Sequence, residues 1–421
     1  MKTLDQISAQ LQGYDPQALR ADQVNAFLAA LIEPIQETQN VPLMQALDRV
    51  LGQDVVSPIN VPAHTNSAMD GYAFAGAALQ SGQPLRLQVV GTALAGAPWP
   101  GTTAAGQCVK ITTGATMPVG LDTVVPQELV QLDGSAIEIP ADLLRPGDNQ
   151  RLLGEDLQRG QIALARGSLL RPAALGLLAS LGLAHICVQR RLRVAYFSTG
   201  DEILSLGETV RPGAVFDSNR YTVLGLLTRL GCEAIDLGVV KDQPALLAAT
   251  FKQAASQADA IITSGGVSVG EADHTKTMMK TLGDVVFWKI AMRPGRPMAV
   301  GRMGRSVLFG LPGNPVAVMV TFLAFVRPAL LRLMGHSALP PVLLQARSQT
   351  PMRKKPGRTE YQRGWVTHAP DGHLQVRANA NQGSGVLSSM VQANGLIVLH
   401  HNQADVAPGE RVDVMMLDGV A

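Results

Sequence analysis

Apolar and polar positions change their period along this chain, and the changes divide it into regions. Residues 15–36 place Val24, Phe27, Leu28, Leu31 and Ile32 on one face at helical spacing. The stretch 37–58 repeats the pattern with Val41, Leu43, Ala46, Leu47 and Val50, predicting a second helix before strand-like Asp54–Val56. From 59 to 151 short apolar runs at 85–90, 108–111, 123–125 and 136–139 alternate with glycines and prolines, the pattern of a small β domain. A helix is predicted over 172–181. Segments 1–58 and 152–190 then form one discontinuous amino-terminal domain, with 59–151 inserted in it.

Residues 191–337 carry the clearest rhythm. Strands are predicted at 192–198, 233–240, 260–264, 285–290, 298–300 and 307–310, and helices at 220–230, 244–257, 274–282 and 316–334. Such alternation implies βαβ units, a mostly parallel sheet and a three-layer α/β domain. Pro340-Pro341 reads as a linker. Short strands at 342–346, 364–367, 374–376, 386–391, 396–399 and 411–415 make 338–421 a terminal β domain. The fold class is multidomain α/β plus β.

Charge nearly cancels, with 35 Lys+Arg against 33 Asp+Glu, which argues against nucleic acid as partner. The cluster Arg353, Lys354, Lys355, Arg358, Arg363 reads as a solvated loop. The three cysteines are scattered, so no disulfide or zinc framework is expected. The longest apolar stretch, 316–326, is closed by Arg327-Pro328 and too short for a bilayer. A cytoplasmic protein with no membrane partner is the expectation.

Two loops carry the chemistry. After the strand at 260–264, Ser264-Gly265-Gly266 leads through Ser268 and Glu271 to Asp273. After the strand at 307–310, Pro312-Gly313-Asn314 precedes a helix whose N-cap would be Asn314, with Pro315 in the first turn. Glycines and helix N-termini suit a phosphorylated ligand at the strand ends of an α/β sheet. Glu202, Asp242, Asp273 and Glu271 all fall at or just beyond predicted strand ends, and a cation such as Mg²⁺ would let them face a phosphate. Lys289, Arg293 and Arg296 sit in a proline-pinned stretch suited to oxyanions. Asp70 in Asp70-Gly71, Thr113 in Thr112-Thr-Gly114 and Asp156 in Gly154-Glu-Asp156 read as turn residues when taken alone.

Together these motifs resemble the MoeA family of molybdopterin molybdotransferases, related to the E domain of gephyrin. The resemblance rests on Pro62–Ala73, Ile111–Ala115, Gly154–Asp156, Ser198–Glu202, Asp217–Asn219, Thr263–Ser268, Gly270–Asp273 and Leu311–Pro315, in that order. It implies insertion of molybdate into adenylylated molybdopterin with release of AMP, dependence on Mg²⁺, and an elongated homodimer of four domains. Asp70, Thr113 and Asp156, then Glu202, Asp242, Asp273 and Lys289, match family cleft positions. Glu202, Asp242 and Asp273 would hold the metal, while Arg363 and Ser384 match positions facing phosphate. Arg293 and Arg296 depart from the lysines frequent there. Partners implied include the molybdopterin adenylyltransferase and the enzymes that accept the cofactor. The rival readings are an adenylyltransferase-like enzyme and a non-catalytic cofactor carrier or scaffold.

Overall fold

The computed structural model describes residues 2–266, 274–337 and 342–417. The chain forms two compact units. One comprises 1–39, 48–50 and 188–421, and the other 40–47 and 51–187.

In the first unit a six-stranded sheet contains β1 (Arg193–Thr199), β2 (Glu233–Val240), β3 (Ala260–Ser264), β4 (Asp284–Lys289), β5 (Pro297–Met303) and β6 (Ser306–Leu311). Its order is β2-β1-β3-β6-β5-β4. The first four strands are parallel, and β5 runs antiparallel to both β6 and β4. Parallel strands are covered on both faces, so they read as continuous apolar runs; β6 is buried at every position. Ala195, Phe197, Ile261 and Leu308 meet Leu247, Phe251 and Met279 from helices Pro244–Gln257 and His274–Leu282. The Phe197 and Phe251 rings meet edge to face at 5.0 Å. Helix Ser218–Arg229 is capped by Asp217, whose carboxylate accepts from Arg220 N–H.

Helix Pro315–Leu333 is long and apolar enough to cross a membrane, with mean hydropathy 1.9, yet 72% of its apolar window is buried inside the protein. It is a core helix. It runs through Arg327-Pro328, as the helix expected over 316–334 requires, so the apolar stretch does not end at 326. A proline within a helix lacks a donor and crowds the carbonyl four residues back. Here the preceding turn, Phe322–Val326, widens to a π-helix, and the helix continues to Leu333.

The amino-terminal helix is Ala21–Leu31, shorter than 15–36 but with the predicted face buried: Val24, Phe27, Leu28 and Leu31. A second helix, Leu4–Gln10, begins with a Thr3–Gln6 capping box. The helix expected over 37–58 is absent. Strand Thr38–Pro42, a single 3₁₀ turn at Leu43–Gln45 and strand Val55–Val56 stand there instead. Pro42 supplies no N–H, Asp48 takes φ +57°, and Leu47 is 42% exposed, so the helical spacing of apolar residues does not define a buried face.

The carboxyl-terminal strands are β7 (Leu344–Ser348), β8 (Thr359–His368), β9 (Leu374–Ala378), β10 (Gly395–Leu399) and β11 (Arg411–Met416). They pair in the order β8-β9-β7-β11-β10, and β8 returns to β10, closing a barrel without free edges. Met292–Arg293 adds to β8 in parallel register. The strand expected at 386–391 is instead a loop and short helix, Ser388–Val391, with Val391 83% exposed. The basic cluster is not a solvated loop. Lys354 is buried, its ammonium donating to the carbonyls of Lys355, His401 and Gln403, and Arg363 is fully enclosed.

In the second unit, a six-stranded sheet runs in the order Thr123–Pro126, Gly71–Phe74, Gln107–Ile111, Leu85–Ala93, Ala136–Ile139, Gln131–Asp133. Alternate residues serve two cores, with Ala73, Val109, Ile111 and Val124 on one face and Tyr72, Phe74, Cys108 and Val125 on the other.

Candidate functional site

Strands β1, β3 and β6 are neighbours and end on one edge of the sheet, at Thr199, Ser264 and Leu311. Each chain segment beyond contributes to one pocket of about 540 Å³: Glu202, Gly265-Gly266 and Pro312-Gly313-Asn314. Arg293, Arg296 and Pro294-Gly295 line it from the β4–β5 connection, and Gln382 and Ser384 from the carboxyl-terminal barrel. Ligands of open α/β sheets bind at this edge, outside the carboxyl ends of the strands.

The Gly265-Gly266 turn is a backbone requirement. Gly265 has φ +89°, and a Cβ there would stand 2.4 Å from the Thr199 carbonyl oxygen; at Gly266, φ +64°, it would stand 2.4 Å from Thr275 Cβ. Only glycine takes that path without strain. Ser264 is buried below the turn, its hydroxyl 2.7 Å from the Tyr196 hydroxyl, which also lies 2.9 Å from Ser198 Oγ. Burial pushes the Tyr196 phenol up, so this network stays neutral and rigid.

Asn314 stands at the N-cap position, but its side chain does not cap. Its amide donates to Ser384 Oγ at 3.1 Å, and Val316 N–H donates to the Ser384 carbonyl at 3.1 Å, so the helix start is bound to the barrel loop. Asn219, from the Asp217–Asn219 motif, donates to the Gly313 carbonyl at 2.7 Å. Its motif was visible in the sequence, its partner was not. Gln382 carried no sequence signal at all. It brackets the Arg363 backbone, accepting from its N–H at 2.9 Å and donating to its carbonyl at 2.8 Å.

Arg363 does not line the pocket. It is 1% exposed and donates to Ser389 Oγ at 3.1 Å and to the carbonyls of Asn381 and Gly383 at 3.2 and 3.0 Å. Burial pushes its guanidinium down to about 10, and the Arg293 charge adds to the effect. It therefore braces the 381–384 loop from behind. Arg293 and Arg296 are exposed in the pocket and form no ion pair among the described residues. With the helix N-terminus beside them, they leave Glu202 as the one carboxylate among the described residues of a cationic lining.

Asp242 follows β2 on the same sheet edge but outside the pocket lining. Its N–H donates to Asp201 Oδ1 at 3.3 Å, and its carboxylate accepts from Thr275 Oγ1 at 3.4 Å. Lys289 is exposed at the end of β4, its backbone bonded to Pro16 and Leu19. Ser268, Glu271 and Asp273 lie outside the described residues. Among those described, no group of three His, Cys, Asp or Glu side chains is arranged to hold a metal. In the second unit Asp70 and Thr113 meet: Asp70 Oδ1 accepts from Thr113 N–H at 2.6 Å and Thr113 Oγ1 at 2.9 Å. These bonds hold the Asp70 carboxyl below its usual range. Asp156 sits in the turn after Gly154, its N–H bonded to the Val61 carbonyl.

Fold and site thus define a class: a multidomain α/β protein with an anion-attracting pocket where its central sheet meets a terminal barrel. Comparison with known proteins narrows it. Residues 19–182 match the model of the MoeA N-terminal region (domain I and II), 195–332 a probable molybdopterin binding domain, and 345–417 the MoeA C-terminal region (domain IV). A molybdopterin molybdenumtransferase of Haemophilus influenzae is 41% identical over 401 residues, covering 94% of this chain and 98% of that one. One from a Nostoc species is 35% identical, covering 97% and 95%. The crystal structure of a molybdopterin biosynthesis MoeA protein from Pyrococcus horikoshii superposes with a TM-score of 0.81 at 26% identity, over 95% of this chain and all of that one. The chain belongs to the MoeA family, transferases of molybdenum cofactor biosynthesis.

Proposed function

We propose that this protein inserts molybdate into adenylylated molybdopterin and releases AMP. The observation carrying this reading is the pocket at the strand ends, in which Arg293, Arg296 and a helix N-terminus face inward without carboxylate partners among the described residues. Such a lining attracts anions, and molybdate and a pyrophosphate are both multiply charged. The dithiolene sulfurs replace one oxo group of molybdate, which leaves as water with the two thiol protons. Water cleaves the phosphoanhydride, giving AMP and the phosphomonoester of the pterin. The protein supplies no nucleophile in this scheme. Arg293 and Arg296 hold the anions, and Glu202, in the same lining, orients the molybdate oxygens.

The donors also suit Mg²⁺. Glu202 and Asp242 hang from loops after adjacent strands, both offer carboxylate oxygens, and the two loops are joined by the bond from Asp242 N–H to Asp201. Mg²⁺ takes one or two carboxylates and completes its shell with water and phosphate oxygens, so a cation held here would be shared with the substrate. When bound it would offset charge on the pyrophosphate. We further propose a homodimer, with Asp70, Thr113 and Asp156 serving the same reaction; light scattering tests the oligomer.

Incubation with adenylylated molybdopterin, molybdate and Mg²⁺ tests the activity. Stoichiometric molybdate-dependent AMP release is expected. Tight binding without AMP would overturn the transferase reading in favour of a cofactor carrier.

A further inference from the structure

A second cavity, of about 1060 Å³, adjoins the pocket and shares Arg293 and Gln382 with it. Its lining has a composition of its own. Arg293, Arg353 and Arg377 contribute three guanidinium groups, and no aspartate or glutamate among the described residues lines it. None of the three arginines forms an ion pair among the described residues, although the same barrel pairs Arg347 with Asp371 and Arg358 with Glu360. The cavity therefore holds concentrated, uncompensated positive charge.

Its second feature is aromatic. Trp365 lines it and is 46% exposed, an unusual position for the largest apolar side chain. Of the other two tryptophans, Trp288 is buried and donates to the Tyr14 hydroxyl. Trp99 packs partly buried against the core of the second unit. Trp365 on β8 stands directly opposite Arg377 on β9 in antiparallel register, so their side chains share one face at neighbouring distance. Arg353 reaches the same cavity from the loop after β7.

An exposed indole face beside unpaired guanidinium groups selects for a ligand that is aromatic and anionic together. A heteroaromatic ring stacks on tryptophan, and arginine binds phosphate oxygens bidentately. A simple oxyanion would not use the indole, and an apolar ring would not use the arginines. We infer that this cavity is a subsite for a phosphorylated heteroaromatic ring, the ring lying against Trp365 and its phosphate held by Arg353 and Arg377. This inference rests on the proposed function in one respect. The proposed substrate carries two heteroaromatic systems, adenine and pterin, on either side of a pyrophosphate, so a molecule held at Arg293 would extend one of its ends into this cavity.

Fluorescence titration of the full-length protein tests it, excited at 295 nm, with AMP, pterin-6-carboxylate and inorganic phosphate as probes. The signal is the quenching seen in wild type minus that in Trp365→Phe, which isolates the one exposed indole. At least one ring-bearing probe should quench Trp365 saturably, at concentrations where phosphate does not. Arg353→Gln/Arg377→Gln should weaken that probe at least tenfold while the far-ultraviolet circular dichroism is unchanged. Preference for AMP assigns the adenine end to the cavity, and preference for the pterin assigns the pterin end. Absence of Trp365-specific quenching by both ring-bearing probes, or unchanged affinity in the double variant, overturns the inference. Binding requires no turnover, so a wild-type protein that quenches but releases no AMP loses the transferase reading alone. One that releases AMP without Trp365 quenching loses this subsite alone.

Discussion

Replacing Arg363 by methionine separates two roles that a pocket arginine can have. Its side chain donates three hydrogen bonds, to Ser389 Oγ and to the Asn381 and Gly383 carbonyls. Gly383 O also accepts from Val386 N–H at 3.3 Å, whereas Asn381 O loses the one donor it has among the described contacts. Stranding a buried acceptor costs about 1–3 kcal/mol, and hydrogen bonds from a charged donor contribute about 1.5–3 kcal/mol each. Against this stands relief from the desolvation cost of burying a cation with no carboxylate beside it. The global stability of Arg363→Met should therefore fall little. The 381–384 loop, held at Ser384 by Asn314 and Val316, should loosen by about 2 kcal/mol, roughly a thirtyfold rise in its open fraction. Hydrogen exchange at Gly383 and Ser384 should accelerate accordingly. KM for the pterin substrate should rise by a similar factor while kcat at saturation falls less, and Arg363→Lys should restore little, because an ammonium cannot span the three acceptors. Unchanged exchange at the loop with abolished kcat would show that Arg363 acts on the substrate directly, and the bracing role would be wrong.

Gly265→Ala meets φ +89° and the Thr199 carbonyl at 2.4 Å, so the turn must move; a loss of about 1–3 kcal/mol is expected, read as a lowered unfolding midpoint in urea. A midpoint equal to that of wild type would contradict the described backbone. Glu202→Gln keeps the shape of an exposed loop and should lower turnover at least tenfold with an unaltered melting temperature, measured by AMP release and differential scanning fluorimetry. Asp70 titrates below the ordinary carboxylate range in the fold because Thr113 N–H and Oγ1 donate to its charged form. Its stabilisation is complete above the unfolded pKa of about 4 and disappears as pH falls through the lower folded value. Asp70→Asn should melt below wild type at neutral pH, with the gap closing under more acidic conditions; a gap independent of pH would rule out this source.

Much of the α/β region could be read from residues alone. The strands β2 and β3 and the helices 244–257 and 274–282 begin and end where their periodicity says. Each is bounded by local chemistry, such as Pro244 at a helix start or Gly265 at a strand end, and strands buried on both faces announce themselves as unbroken apolar runs. Segment 37–58 failed for the opposite reason: its helical spacing was accidental, and neighbouring strands decided its path. The 386–391 run, apolar apart from Ser388 and Ser389, folds as loop and helix, and its Ser389 hydroxyl accepts from Arg363, 26 residues away.

The same division holds for the site. Glycine turns, the Asn314-Pro315 helix start and the arginines near 293–296 are local signals, legible because they depend on φ, capping and charge within a few residues. That Glu202, Gly265 and Gly313 share a cavity follows from strand order, and strand order is a property of the folded sheet. The roles of Gln382, Asn219 and Arg363 depend on partners 19, 94 and 26 residues distant. Local chemistry therefore told which groups could handle an anion, and only tertiary packing decided which of them face it and which hold the others in place.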